Sequence, residues 1–109
     1  MAKDVRPLLD EVVEVLAADY QPEWIILFGS HAYGEPDTAS DIDLLILKET
    51  GKSFPKRWAD VCELVADIVG TTPFSPLVLT PAELEARRRK GDQFIEGILT
   101  EGHVLYTRY

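Results

Sequence analysis

The sequence predicts an α/β (α+β) fold, in which a small mixed sheet is flanked by helices. Segments with apolar residues at helical spacing alternate along the chain with short, strongly apolar runs, which is the pattern of a layered fold. The composition of 46% hydrophobic and 28% charged residues is that of a globular protein. A chain of 109 residues can bury one modest core. We therefore expect a single domain over residues 1–109.

The first half of the chain predicts one helix and two strands. Apolar residues at intervals of three and four predict an amphipathic helix over about residues 4–19. Residues 24–28 (WIILF) and 42–47 (IDLLIL) are short apolar runs and predict buried strands. Residues 29–40 contain three glycine or proline positions and predict a functional loop with room for a helical turn.

The second half predicts three helices and two strands. Thr80-Pro81-Ala82-Glu83 matches a capping box with proline at the first helical position. Pro76 is unfavourable inside a sheet, so its strand is expected at an edge, where a homo-oligomer could form. The expected elements are a helix over 53–70, a strand over 74–79, a helix over 80–90, a helix over 92–102 and a last strand over 103–106.

Composition also excludes several classes of protein. Eleven Lys and Arg against nineteen Asp and Glu give a net charge of −8, which disfavours direct binding to DNA. The longest apolar run has five residues, far below the ~18–20 of a membrane span, so no membrane association is expected. Cys62 is the only cysteine, which excludes an internal disulfide and a cysteine zinc site and indicates a reducing, cytoplasmic location.

The most informative stretch runs from Gly29 to Asp43, between the first two predicted strands. Gly29 has no side chain to keep a phosphate away, and Ser30 offers a hydroxyl and an N–H where a helix could begin. Asp41 and Asp43 are two residues apart at the start of a strand, so both carboxylates should project from one face. Because like charges repel unless a cation lies between them, the pair suggests a Mg²⁺ site.

Each half of this pattern is common when it occurs alone. A Gly-Ser pair after a strand is an ordinary turn, and an Asp-x-Asp pair is usually a solvated strand face. Their combination, with each motif next to a strand, favours a phosphate-binding turn beside a metal site.

The pattern Gly29-Ser30-x10-Asp41-x-Asp43 resembles the signature of the polymerase-beta-type nucleotidyltransferase superfamily, and its surroundings resemble the minimal nucleotidyltransferase (MNT) branch. The resemblance implies the polymerase-beta-like nucleotidyltransferase fold, ATP as substrate and Mg²⁺ as cofactor. It implies that Gly29 and Ser30 hold the phosphates of the nucleotide and that Asp41 and Asp43 bind both the metal and the nucleotide. Asp41, Asp43 and Ser30 are the catalytic residues implied.

The resemblance also implies a partner. MNT proteins are commonly paired with a helical HEPN protein from a neighbouring gene, as the antitoxin member of a toxin–antitoxin pair. The implied reaction is transfer of AMP from ATP to a hydroxyl of that partner. Two alternatives remain: a weak or inactive nucleotide- and metal-binding module that neutralises its partner by contact, and a transferase acting on a small molecule.

The sequence departs from the superfamily pattern at two positions. The superfamily usually supplies a third carboxylate from the next core strand, and the corresponding position here falls near Ser75. Either a nearby acid substitutes, with Glu63 and Asp67 as candidates, or catalysis is weak or absent. Tyr33 stands where many relatives carry arginine, and it either stacks on a base or only packs.

Arg87-Arg88-Arg89-Lys90 is the only basic run in the sequence. Cations at the end of a helix are favoured by the helix dipole, so the run predicts a stable, solvated helix end. The functional alternative is a docking site for an acidic partner, or for RNA held by that partner.

Overall fold

The computed structural model describes residues 4–34 and 41–109, and the predicted loop segment 35–40, with Pro36 and Ser40, lies outside the described residues. The predicted α/β architecture is confirmed. The helices are α1 (Arg6–Val15), which continues into a π-helical turn (Leu16–Tyr20), α2 (Ser30–Tyr33), α3 (Phe54–Val69), α4 (Pro81–Arg89) and α5 (Gln93–Glu101). The strands are β1 (Trp24–Phe28), β2 (Ile42–Leu47), β3 (Phe74–Leu79) and β4 (His103–Thr107).

The four strands form one mixed sheet in the order β3-β2-β1-β4. β1 pairs antiparallel with both β2 and β4, whereas β2 pairs parallel with β3. β3 is an edge strand, as Pro76 predicted, because a proline nitrogen cannot donate to a neighbouring strand. β1 and β2 therefore lie in the middle of the sheet, and the residues at their adjoining ends meet.

Helices cover both faces of the sheet. The side chains of β2 alternate, so Ile42, Leu44 and Ile46 join a core with α1 and α3, whereas Leu45 joins a second core with α5. Asp43 lies on the same face of the sheet as Leu45, which is the face that α5 packs on, and it is two residues closer to the start of β2. The alternation thus places one carboxylate on the face that α5 covers only in part.

Local sequence sets most helix ends. At the start of α3, Ser53 Oγ accepts a hydrogen bond from the Lys56 N–H. Thr80 and Glu83 form the predicted capping box of α4, and the Asp92 side chain caps α5. The first helix differs from its prediction over 4–19. It begins at Arg6 and ends in a π-helical turn closed by Gln21, whose left-handed backbone (φ 55°) stops the helix.

A buried arginine fixes α3 and α4 on the third strand. Arg57 donates to the Lys52 and Val78 carbonyls at 2.8 and 3.1 Å, and its guanidinium forms two bonds with Glu83 at 2.7 and 3.2 Å. Arg57 is only 5% exposed, so its charge depends on Glu83 for compensation. The hydrogen bond from Arg57, together with the guanidinium charge, holds the pKa of the Glu83 carboxyl below its usual value.

We expect Glu83→Gln to lower the free energy of unfolding by about 2 kcal/mol at pH 7. This is less than the ~3–5 kcal/mol typical of breaking a fully buried pair, because the Glu83 side chain is 34% exposed. The lowered pKa stabilises the fold above pH 4.5, the usual value, and this contribution is lost as the pH falls through the folded-state pKa. Urea denaturation from pH 7 to pH 3 measures both effects.

Glu85→Gln is the matched control, because Glu85 lies on the same helix with its side chain 54% exposed and contacts Arg88 and Arg89 only at 3.9 and 3.8 Å. We expect a change below about 0.5 kcal/mol in this variant. An equal loss in the two variants at pH 7, or a Glu83→Gln deficit that persists unchanged at pH 3, would contradict the role assigned to the buried pair.

No helix within residues 4–34 and 41–109 combines the length and the apolar character that crossing a bilayer requires.

Candidate active site

The adjoining ends of β1 and β2 bring Gly29 and Asp43 into contact. Phe28, the last residue of β1, pairs with Asp43 in the antiparallel register, and the chain turns at Gly29 immediately afterwards. The Gly29 backbone has a φ of 75°, and a Cβ there would overlap Asp43 Oδ2 and lie 3.2 Å from its Cγ. Glycine is therefore required both by the backbone conformation and by the carboxylate beside it.

The parallel pairing of β2 with β3 places Ser75 beside both aspartates. Asp43 and Ser75 are register partners, and Ser75 Oγ donates a hydrogen bond to Asp41 Oδ2 at 3.1 Å. Asp41 precedes β2 and is exposed, whereas Asp43 is half-buried within it. Ser75, the position at which the resemblance would lead one to expect a third carboxylate, thus lies beside the carboxylate pair.

Two like charges at this site affect each other. Partial burial raises the pKa of the Asp43 carboxyl, the nearby charge of Asp41 raises it further, and His31 acts in the opposite direction. The apo site is therefore electrostatically unfavourable for the ionised form of Asp43. A cation held between the two carboxylates would relieve this repulsion.

The residues after Gly29 form the predicted helical turn. The N–H groups of Ala32 and Tyr33 both donate to the Gly29 carbonyl, at 3.0 and 3.1 Å. This turn packs on β1 and β2 and exposes Ser30 at its first position. Ser30 is therefore exposed at the end of β1, next to Gly29.

A cleft of about 580 Å³ opens from Gly29 and Asp43 toward α5. Tyr33 and Phe94 line it, and they remain 47% and 55% exposed. Phe28 supports Phe94 in an edge-to-face contact, with ring centroids 5.6 Å apart. The cleft therefore combines a carboxylate floor with exposed aromatic walls, which suits a planar ring carrying a polar or charged group.

The two acids suggested as substitutes for the third carboxylate do not join the aspartates. α3 lies on the opposite face of the sheet from Asp43, and Glu63 lines a separate cavity of about 760 Å³ beside Lys48 and Lys52. Within residues 4–34 and 41–109, no three His, Cys, Asp or Glu side chains come together as a metal site. The suggestion that Glu63 or Asp67 completes the site is therefore not supported by the structure.

The contribution of α5 was missed in the sequence. The Asp92 cap and the helical spacing predicted this helix, but not that Gln93 and Phe94 in its first turn would line the cleft. An available signal was Phe94 itself, a large aromatic residue beside a helix cap and outside the apolar stripe formed by Ile95 and Ile98.

We expect Gly29→Ala to weaken nucleotide binding at least tenfold and to destabilise the domain, since the new methyl group must displace the Asp43 carboxylate and adopt a positive φ. Isothermal titration with Mg²⁺ and a non-hydrolysable ATP analogue, together with thermal denaturation, measures both effects. Unchanged binding in this variant would argue against a phosphate-binding turn.

Two other glycine variants separate backbone strain from contact with Asp43 as the cause of any lost stability. Gly34→Ala introduces the same positive-φ strain (φ 85°) and meets no atom of the described residues within 4 Å, so we expect it to cost only about 1 kcal/mol of stability. Gly97→Ala in α5 also meets open space and should leave stability unchanged or slightly raised. If all three variants lose the same stability, contact with Asp43 is not the cause.

Residues 10–109 match the family model described as "Polymerase beta, Nucleotidyltransferase". A Methanocaldococcus jannaschii protein named "Putative protein adenylyltransferase MJ1305" is 32% identical over 114 residues, which covers 97% of this chain and 74% of the relative.

A solved structure described as "Structure of putative minimal nucleotidyltransferase" superposes with a TM-score of 0.59 at 22% sequence identity. The match covers 92% of this chain and 94% of the solved one. At this level of identity the superposition establishes a shared fold, and it confirms the fold predicted from the Gly29–Asp43 motif.

Proposed function

Because the chain belongs to the polymerase-beta-type nucleotidyltransferase family, as its match over residues 10–109 shows, we propose that it transfers AMP from ATP to a hydroxyl group of a partner protein. The observation that carries this proposal is that Gly29, Asp43 and Ser75 line one aromatic-walled cleft, with Asp41 held next to it by its hydrogen bond from Ser75. The name of the archaeal relative, a protein adenylyltransferase, supports AMP and a protein acceptor.

The cleft offers a place for each part of the nucleotide. The proposed position of the β- and γ-phosphates is beside the Gly29 backbone and the Ser30 hydroxyl, next to the Asp43 carboxylate that Gly29 allows to approach. The base lies between the exposed rings of Tyr33 and Phe94, since stacking on an aromatic ring favours any planar base. Gln93 supplies an amide that can bond to the edge of the base.

The carboxylates fit one Mg²⁺ ion. Mg²⁺ binds through one or two carboxylates together with substrate phosphates and water, and Asp41 and Asp43 provide such a pair. The pKa of Asp43 is raised by partial burial and by the nearby charge of Asp41, and a bound cation would offset this repulsion. When bound, the metal would neutralise charge on the triphosphate during transfer.

The reaction is a substitution at the α-phosphorus. The acceptor oxygen forms a new bond to this phosphorus, the bond to the oxygen that bridges the α- and β-phosphates breaks, and pyrophosphate leaves with the electron pair. The acceptor proton passes to a carboxylate or to water. Asp41 is placed to orient the incoming hydroxyl, because its exposed carboxylate already accepts a hydrogen bond from Ser75.

The proposed acceptor belongs to a partner protein. The helices that the structure describes pack on the two faces of the sheet. The cleft opens to solvent beside α5, so an acceptor from a second protein can reach it. We therefore assign the acceptor to a partner protein, namely a helical HEPN-type protein encoded by a neighbouring gene. In that pair this chain acts as the antitoxin-like member, and AMP addition neutralises the toxin.

A second candidate function rests on Ser75. A serine hydroxyl is a weak metal ligand and a poor base, and within residues 4–34 and 41–109 no third acid joins Asp41 and Asp43. In this alternative the domain binds nucleotide and metal but neutralises its partner by contact.

Label transfer distinguishes the two functions. The chain is co-expressed with its genomic neighbour, incubated with Mg²⁺ and ATP labelled at the α-phosphate, and run on a denaturing gel. Label on the neighbour, absent when Asp41→Asn and Asp43→Asn are combined, supports AMP transfer and identifies the acceptor. A stable complex that carries no label supports neutralisation by contact, and label on a small molecule alone supports a metabolite transferase.

A further inference from the structure

The four consecutive cations Arg87 to Lys90 have no role in the proposed nucleotide site. They are four of the eleven Lys and Arg residues in a chain whose net charge is −8. They occupy the last turn of α4 and the residue after it. One or two cations are enough to interact with the helix dipole, so four in succession exceed what helix stability requires.

This basic run adjoins the wall of the cleft. The Asp92 N–H donates to the Arg87 carbonyl at 3.1 Å, and α5 begins at the next residue. Gln93 and Phe94 in its first turn line the cleft. Since three residues of chain span at most about 11 Å, Lys90 lies within that distance of Gln93.

The run and the proposed phosphate-binding turn belong to different elements. α4 packs on β3 and α5, whereas α2 packs on β1 and β2. The cations are therefore carried next to the α5 wall of the cleft, by an element other than the one that carries Ser30.

Part of this charge is available to a partner. Arg88 lies 3.6 Å from Glu96 and 3.9 Å from Glu85, and Arg89 lies 3.8 Å from Glu85. In the part of the chain that the structure describes, no ion pair involves Arg87 or Lys90. These two cations can therefore pair with an incoming anion without breaking an existing contact.

We propose that residues Arg87–Lys90 form a docking surface for an acidic polypeptide segment that presents the acceptor hydroxyl to the cleft; this inference rests on the proposed function. A polypeptide fits better than a nucleic acid, because a phosphate backbone needs an extended basic surface, and Glu85 and Glu96 interrupt this one. A short acidic segment needs only two or three cations, and such complementarity sets its orientation.

The test uses a fluorescent copolymer of glutamate and tyrosine as the acidic probe. Arg87→Glu with Lys90→Glu reverses the two unpaired cations, and fluorescence anisotropy measures the dissociation constant without ATP. We expect the wild-type chain to bind, with binding weakened by high salt, and the variant to bind at least tenfold more weakly. Arg6→Glu with Arg108→Glu is the matched control, because it makes the same change in charge at exposed cations outside the run and should alter binding less than twofold.

Steady-state label transfer to the same copolymer gives the second measurement. The variant should raise the KM for the copolymer at least tenfold and leave the KM for ATP unchanged. A raised KM for ATP with normal copolymer binding would assign the run to the triphosphate and overturn the proposal. So would equal weakening in the control variant, or tighter binding of a single-stranded RNA oligonucleotide that depends on Arg87 and Lys90.

The two proposals fail in different ways. Charge-dependent copolymer binding without any label transfer would support the docking surface and contradict the transferase. Label transfer to a natural acceptor at a rate that the reversed charges do not change would support the transferase and contradict the docking surface. Melting temperatures identify a misfolded variant, and Arg87→Gln with Lys90→Gln provides a milder change whose loss of binding should be smaller but in the same direction.

Discussion

Asp41→Asn combined with Asp43→Asn is expected to lower Mg²⁺-dependent AMP transfer by at least about 10³-fold, because the carboxylates are the proposed ligands of the metal that stabilises charge on the triphosphate. The amides keep the shape of the side chains and lose the charge. Transfer of labelled AMP, measured at saturating ATP over a range of Mg²⁺ concentrations, gives the loss.

The same substitutions should not unfold the domain. Removing one charge from a pair that repels raises apo stability, so Asp43→Asn alone should increase the melting temperature at pH 7 in the absence of metal. The sign follows from the raised pKa of Asp43, which means that the folded state holds the ionised carboxyl less favourably than the unfolded chain. Added Mg²⁺ with ATP should stabilise the wild type and leave the double variant unchanged.

Asp60→Asn is the matched control for this comparison. Asp60 is a carboxylate of the same kind, but it pairs with Lys52 and Lys56 on the opposite face of the sheet. We expect normal transfer in this variant. Wild-type transfer rates in the double variant of Asp41 and Asp43, or a melting temperature lowered by Asp43→Asn, would contradict the assignment of the site.

Ser75→Asp is expected to raise AMP transfer by roughly 10²-fold, since a positioned general base contributes about 10²–10⁴-fold. The parallel register places residue 75 directly beside Asp43, and its hydroxyl already reaches Asp41. A carboxylate at this position would complete a three-acid site that can bind metal and help to deprotonate the acceptor. The same variant should be less stable than the wild type without metal, because a third negative charge joins the pair.

Two other substitutions at this position separate charge from packing. Ser75→Asn has the same size as the aspartate variant without its charge, and Ser75→Ala removes the hydrogen bond to Asp41. Neither should gain activity. If Ser75→Asp binds Mg²⁺ and ATP but transfers AMP no faster than Ser75→Asn, the missing acid does not limit catalysis. If both the wild type and Ser75→Asp fail to transfer label to any acceptor, the domain acts by contact.

Local sequence predicted most of the secondary structure. The strands over 24–28, 42–47 and 74–79 have the predicted limits, because each is a short apolar run between breakers. The capping box at Thr80 and the cap at Asp92 fixed two helix starts in the same way. These signals succeed because capping and side-chain periodicity depend on residues a few positions apart.

The sequence predicted that Gly29 and Ser30 follow one strand and that Asp41 and Asp43 begin the next. The antiparallel pairing of β1 with β2, which the structure shows, brings these strand ends together. The chemical roles of these four residues remain predictions, and the experiments above test them. The sequence was less informative about Glu63 and Asp67, because spacing along a helix does not reveal which face of the sheet the helix covers.

The sequence by itself therefore determined most of the elements and the Gly29–Asp43 motif, and it predicted that Ser75 stands where the superfamily usually supplies a carboxylate. Only the tertiary structure decided the strand order β3-β2-β1-β4, which places Ser75 beside Asp43, and the packing of α5, which forms the wall of the cleft with Phe94. It also decided that the basic run at the end of α4 adjoins this wall. The physical reason is that strand order and helix packing are set by burial of apolar surface between residues far apart in the chain, which no local pattern encodes.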